Sequence, residues 1–217
     1  MKNLTTALAL TATGFAGQAA ADHIWINEFH YDNPGADAGE FVEVAVRTPN
    51  GSGLAATDYS VTLVNGSGNV AYGTRSLTQA TASSPFAVAG STDVVTLYTL
   101  SYPSNGIQNG SPDGIALVES GSGSIVEFLS YEGPMTFQGV AAMEIAASEP
   151  GVGNNTSLAA TGAGDGLDDF GADSFVLTET ATPGGINTGQ VFVVPEPASL
   201  ALLGLGGLAL LGRRRSA

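Results

Sequence analysis

Asp32, Asn33, Asp37 and Glu40 place four side-chain oxygen donors within a nine-residue stretch. They lie in and just after Asp32-Asn33-Pro34-Gly35-Ala36-Asp37-Ala38-Gly39. Proline there fixes φ and glycine accepts positive φ, so the chain can turn and fold the donors inward. Calcium takes about 6–8 oxygens, carbonyls and water included, and the four would form a partial shell for Ca2+. The spacing is not that of an EF-hand, which needs an Asp-x-Asx-x-Asx-Gly series. The competing reading is a solvated acidic turn whose Asp and Asn cap the backbone. Asp165-Gly166-Leu167-Asp168-Asp169 is a weaker second candidate for the same ion.

Carboxylate pairs are the one route to catalysis that the residue types leave open. A glycosidase sets two carboxyl groups roughly 5–10 Å apart across a cleft. Glu28, Glu43, Glu127 and Glu132 could supply such a pair if their hairpins face each other. Only His23 and His30 could serve as bases of another kind. His23 sits near an expected chain end, and His30 shares a strand with Glu28, where a hydrogen-bonded structural role is the commoner outcome. The chain has no Cys, which excludes thiol nucleophiles, disulfides and Cys-ligated zinc. Gly66-Ser67-Gly68 and Gly121-Ser122-Gly123 read as hairpin turns, not as strand-to-helix nucleophile elbows. There is no glycine-rich loop leading into a helix to cradle phosphate.

The elements that must position these side chains read as strands. Ile24 to Tyr31 is rich in β-branched and aromatic residues. Strict alternation puts Ile24, Ile26, Glu28 and His30 on one face, and Trp25, Asn27, Phe29 and Tyr31 on the other. In the next strand Val42, Val44 and Val46 form an apolar face, with Phe41, Glu43 and Ala45 opposite. Tyr59 to Val64, Asn69 to Thr74, Asp93 to Leu100, Gly114 to Glu119 and Ile125 to Tyr131 continue the series, with Gly, Ser and Asn turns between them. Val140 to Ala147 carries the body's one helix-like pattern. Asn154 to Asp173 reads as loop, Ser174 to Thr178 as a last strand, and Thr182 to Val194 as a surface linker. Short strands at this spacing predict an all-β sandwich.

Charge excludes one class of partner. All but one of the 20 acidic residues precede Pro195, yet only Arg47 and Arg75 of the six basic residues lie between the two chain ends. Nucleic-acid binding draws on phosphate neutralisation by Lys and Arg, so this surface should repel it. Such an excess of acid suits solubility in an external or high-salt medium.

Ile26-Asn27-Glu28, an acidic loop, and then Gly39-Glu40-Phe41-Val42-Glu43-Val44 resemble the start of a lamin-tail domain. The likeness is strongest to bacterial copies found beside secreted nucleases. It extends to Ser130-Tyr131-Glu132-Gly133 and to Ala181-Thr182-Pro183-Gly184-Gly185-Ile186-Asn187-Thr188-Gly189-Gln190. The resemblance implies an immunoglobulin-like β-sandwich. It does not carry nuclease activity with it, because the chain has no room for that second domain.

The two ends read as addresses. Lys2, the mostly apolar run Ala7 to Ala16 and the small residues Ala19-Ala20-Ala21 form a secretory signal peptide, with cleavage specified by Ala19 and Ala21. Pro195-Glu196-Pro197, the uncharged run Ala198 to Gly212, and Arg213-Arg214-Arg215 resemble a PEP-CTERM sorting signal. That likeness implies a Gram-negative cell, processing by an exosortase, and delivery to the cell surface or extracellular polysaccharide. Three arginines after the apolar run would hold that end in the cytoplasm. The run is shorter than the roughly 20 residues of an ordinary span, which suits a transient inner-membrane anchor.

The expected organisation is a signal peptide over 1–21, a lamin-tail-like sandwich over 22–190, and linker plus sorting signal over 191–217, with a hydrophobic helix at 198–212. The expected function is a non-catalytic binding or structural module of the cell surface or extracellular matrix. A glycan-binding role would favour exposed Trp25 or Tyr side chains. The alternative is a carboxylate-based hydrolase acting on extracellular polysaccharide.

Overall fold

The computed structural model describes residues 23–48, 55–149 and 155–194. The signal-peptide residues and the sorting residues from Pro195 onward lie outside that range. The described chain is all-β, with 3-10 turns at Ala56–Asp58, Leu77–Gln79 and Ala172–Ser174. In chain order the strands are β1 (Ile24–His30), β2 (Phe41–Thr48), β3 (Tyr59–Asn65), β4 (Val70–Ser76), β5 (Thr81–Ala82), β6 (Phe86–Ala87), β7 (Val94–Ser101) and β8 (Asp113–Glu119). They continue as β9 (Ile125–Tyr131), β10 (Thr136–Phe137), β11 (Val140–Ala141), β12 (Met143–Glu144), β13 (Ser157–Ala160), β14 (Gly162–Gly164), β15 (Phe175–Thr178) and β16 (Gln190–Phe192).

Two sheets carry the fold. The first runs β15-β13-β1-β2-β7-β5, with β6 also paired to β7. The second runs β12-β9-β8-β3-β4. Each places an apolar row toward the other, as alternation requires. Ile24, Ile26 and Phe29 pair with Val46, Val44 and Val42 in the first sheet. Val61, Leu63, Ile115, Leu117 and Leu129 answer from the second, and all belong to one buried cluster. Phe29 packs on Tyr131 across the gap at 5.6 Å between ring centres, and Tyr31 on Tyr131 at 4.3 Å. A smaller cluster of Val64, Ala116, Phe128, Met135 and Phe137 lies behind the second sheet, under the β10–β11 hairpin.

The strict alternation expected in β1 fails at one residue. The β1–β2 register shifts between Ile26 and Glu28, so Asn27 is an extra residue in a bulge. One inserted residue exchanges the faces of everything after it. Phe29 therefore joins Ile24 and Ile26 inside, while Glu28 and His30 join Trp25 on the outer face. That outer face is also buried, because the chain from Asp165 to Val194 crosses back over it. Trp25 is fully buried there, stacked on Phe170 at 5.3 Å and edge-on to Phe192 at 6.1 Å.

Three expectations are corrected by tertiary pairing. Val140 to Ala147 is not helical, because β12 joins β9 in parallel and Ile145 N–H donates to the Ser130 carbonyl. The stretch read as loop contains β13, a fully buried strand between β1 and β15. Its Ser-Leu-Ala-Ala sequence has little β-propensity, and burial on both faces overrides that. Thr182 to Val194 is no surface linker, since Asn187, Gln190 and Phe192 are buried and β16 pairs with β14.

Gly114 in β8 marks the tightest place in the second sheet. A Cβ there would meet the Leu129 carbonyl, Met135 Sδ and Phe128 Cε2, each at 2.8 Å. Gly114→Ala is expected to cost about 1–3 kcal/mol through overpacking. A urea midpoint of the variant against the unaltered protein measures it, and equal midpoints would contradict the packing.

Candidate buried polar lock and acidic loop

Three of the four stretches behind the lamin-tail likeness meet at the Asn27 bulge. Asn27 Nδ2 donates to Glu43 Oε1 at 3.0 Å, and Asn27 Oδ1 accepts from Gln190 Nε2 at 2.7 Å and Trp25 Nε1 at 3.3 Å. Asn187 Nδ2 donates to the carbonyls of Asn27 (3.0 Å) and Ala160 (2.9 Å). Glu28 accepts from Ser157 Oγ, Thr182 N and Thr182 Oγ1 at 2.5, 2.8 and 3.0 Å. Glu43 accepts from Thr99 Oγ1 at 2.7 Å and Gly184 N at 2.5 Å. A polar pair in the middle of an apolar strand was the available signal for this lock. Its partners, more than 140 residues away in the case of Gly184, Thr182, Asn187 and Gln190, gave none.

The bulge also turns Ile26 N–H toward the other sheet, where Glu127 Oε2 accepts it at 2.6 Å. Glu127 Oε1 is buried without a hydrogen-bond partner. An ionised carboxylate in that position would be strongly disfavoured. Burial pushes the Glu127 carboxyl up to about 8 against the single bond from Ile26. Burial likewise pushes Glu43 up to about 7, opposed by Gly184, Thr99 and Asn27. Glu28 is raised by burial, opposed by Ser157 and Thr182. The geometry agrees for Glu28. Thr182 Oγ1 has one proton but faces both Glu28 Oε2 and Asn187 Oδ1, the latter at 2.9 Å. A proton on Glu28 lets it donate to Thr182, which then donates to Asn187.

A second cluster ties the loop end. Glu149 Oε1 lies 2.8 Å from His30 Nδ1 and accepts from Thr156 Oγ1, while its Oε2 accepts from the amides of Tyr31 and Asp32. Burial alone would push the His30 pKa down. The bond and charge of Glu149 outweigh it, and the net direction is up. Tyr31 Oη donates to Glu132 Oε1 at 3.0 Å, which joins the Ser130–Gly133 motif to the first strand.

The four predicted calcium donors are brought into one loop but are differently engaged. Glu40 turns both oxygens onto the amides of Gly106 and Ile107, each at 2.8 Å. Asn33 Oδ1 accepts from Ala38 N, and Asp37 Oδ1 from Asn33 N. Asp32 and Asp37 remain near each other, with Asn109 Nδ2 at 3.4 Å from a carboxylate oxygen of each. Among the described residues no group of three or more His, Asp or Glu is arranged to hold a metal ion. In the second candidate loop Asp165 is engaged by Arg47, and its amide donates to Asp169 Oδ2.

The four glutamates considered for hydrolysis do not line one cleft. Glu28, Glu43 and Glu127 are buried in the interior, and Glu132 is half-buried at the loop end. An open groove of about 660 Å³ lies elsewhere, beside β12 and the Leu167–Ser174 turn, and touches none of them. Both arginines of the body are also engaged. Arg47 is buried between Asp93 and Asp165, with a closest approach of 2.5 Å to each. Arg75 bonds the Ser101 carbonyl and lies 5.1 Å over the Tyr102 ring. Trp25 is fully buried, and among the described aromatic side chains Tyr72, Phe86, Tyr98 and Tyr102 are half-buried.

Residues 193–215 match the family model of the PEP-CTERM protein-sorting motif. The chain carries that sorting signal. It is therefore an exported, cell-surface protein and a substrate of exosortase processing. Pro195, Glu196, Pro197, Arg213, Arg214 and Arg215 all fall within the match. No curated protein and no solved structure matches the chain. Among the described residues no helix is long and apolar enough to cross a membrane.

The raised carboxyls set the sign of the pH dependence. The folded state keeps protons that the unfolded chain releases above about 4.5, so their stabilisation is full below that pH. It is lost as pH rises through about 7 and about 8. The melting midpoint is expected to fall between pH 5 and pH 8.5, and Glu127→Gln to flatten the upper part of that fall. A midpoint that rises over this range would contradict it. Asn187→Ala is expected to cost about 1–3 kcal/mol by leaving buried carbonyls unpaired, read in urea. Coincident melting midpoints in calcium and in chelator would leave the loop an acidic turn that caps its own backbone. A calcium-dependent rise abolished by Asp37→Asn would instead place the ion at Asp32 and Asp37.

Proposed function

We propose that the body is a lamin-tail-like, immunoglobulin-type β-sandwich acting as a non-catalytic structural or binding module of the cell surface or extracellular matrix. One observation carries this reading. The side chains with catalytic potential are spent inside the fold: Glu28 and Glu43 hold the returning chain, Glu127 caps the bulge, and His30 pairs with Glu149. Three of the four stretches behind the lamin-tail likeness form one hydrogen-bonded unit around Asn27, and the fourth bonds to Tyr31 through Glu132. The two-sheet architecture supports the immunoglobulin-type assignment at the level of class.

Cell-surface address and surface charge bear on the partner. With Arg47 buried between two aspartates and Arg75 bonded to the Ser101 carbonyl at the surface, the body presents far more carboxylates than basic side chains. That charge balance argues against a nucleic-acid partner, and an extracellular polysaccharide is the partner class that the sorting signal favours. The cell would be Gram-negative, with the segment 198–212 as its transient inner-membrane anchor.

Two measurements test the proposal. Purified body should co-sediment with the producing cell's matrix polysaccharide and release no new reducing ends from it. Reducing ends that disappear in Glu132→Gln would establish the hydrolase instead. The intact mass of secreted protein should correspond to a chain beginning at Asp22 and lacking the tail. Recovery of Lys2 or Arg215 in that material would refute the processing.

A further inference from the structure

The sorting motif and the folded body share residues. The match to the sorting motif begins at Val193. Val193 N–H already donates to the Gly164 carbonyl at 2.8 Å, and Val194 N–H to the Ala89 carbonyl at 3.0 Å. Ala89 N–H returns a bond to the Phe192 carbonyl at 2.9 Å. Just upstream, β16 lies parallel to β14 in the register Gly162↔Gln190, Ala163↔Val191 and Gly164↔Phe192. The Phe192 ring is buried against Trp25, Phe86 and Phe170. Pro195 follows at once and has no N–H with which to continue the pairing.

An amide that donates to the sandwich cannot also donate to an enzyme. Enzymes that read an extended peptide commonly take up its backbone as an added strand. Pro195-Glu196-Pro197 can span at most about 10 Å, so a docked body stands directly against whatever grips those three residues. We infer that Val191–Val194 is a latch: it must leave the sandwich before the sorting motif can be processed, and its docking opposes processing. The rate of tail removal then scales with the fraction of molecules whose last strand is undocked. The Thr182–Gln190 lock keeps the rest of the segment in place while the latch opens, because its bonds to Glu28, Glu43 and Asn27 lie upstream of it.

The test locks the latch outside the sorting motif. Ala163 and Val191 are exposed register partners, neither lies in 193–215, and the chain has no other thiol. Adjacent strands lie about 4.8 Å apart, within the range that a disulfide spans. The full-length double variant Ala163→Cys with Val191→Cys is produced with the processing enzyme, and tail loss is followed by intact mass. The oxidised pair should lose its tail at least tenfold more slowly than either single variant, and reductant should restore the rate. Phe192→Ala, checked for a cooperative melt, should speed tail loss. Tail loss from the oxidised pair at the single-variant rate overturns the latch, as does a block that reductant does not relieve.

Discussion

The inserted residue Asn27 is the constraint on which the rest of the structure depends. One extra residue in β1 moves Glu28 and His30 off the core face and brings Phe29 onto it. It also frees Ile26 N–H from the sheet ladder and exposes the Asn27 side chain and carbonyl to an outer layer. Each freed group needs a partner, because an unpaired buried polar group costs as much as the bond it lacks. Glu127 answers from the opposite sheet, and Gln190 and Asn187 answer from the end of the chain. The bulge thus joins three layers that apolar packing alone would not hold in register.

The same residues explain how a protein without disulfides or a metal cluster among its described residues keeps its last segment in place. Ala181 to Gln190 contributes few large apolar side chains, and Ile186 is partly exposed. It is held by carboxyl and amide groups of β1 and β2 instead. Such a network is specific in geometry and contributes modestly to net stability, as buried polar networks do. Burial raises the pKa of its carboxyls, so it is expected to tighten toward mildly acid conditions. Arg47 between Asp93 and Asp165 is an ionic counterpart, joining β2 to the segment that begins the covering layer.

Export and fold meet at Val193 and Val194. In most chains of this organisation one would expect a flexible spacer between a folded body and a terminal address. Here the address begins while the backbone is still paired to Gly164 and Ala89. Aromatic burial of Phe192 makes that pairing more than a frayed end. Folding and processing are therefore linked through the same few backbone amides.

The sequence by itself determined the address, the all-β class and most strand positions. Pro195-Glu196-Pro197 with its apolar run and three arginines is a local pattern, readable without a fold. So are the alternating valines of β2 and the Gly and Ser turns of the β3–β4 and β8–β9 hairpins. Tertiary structure alone decided the hydrogen-bond partners of the polar residues. The partners of Glu28, Glu43 and Glu127 sit in β1, β7, β13 and the closing segment, where a linear reading does not reach. Asp32, Asn33, Asp37 and Glu40 share one loop, but that Glu40 binds the amides of Gly106 and Ile107, and Asn33 that of Ala38, is set by contacts that no linear pattern announces. β13 was hidden because its strand character comes from burial between β1 and β15, not from its own side chains. The physical reason is common to all of these. Short-range pattern records what a residue prefers, whereas the partner that satisfies a buried polar group is fixed only when distant segments meet.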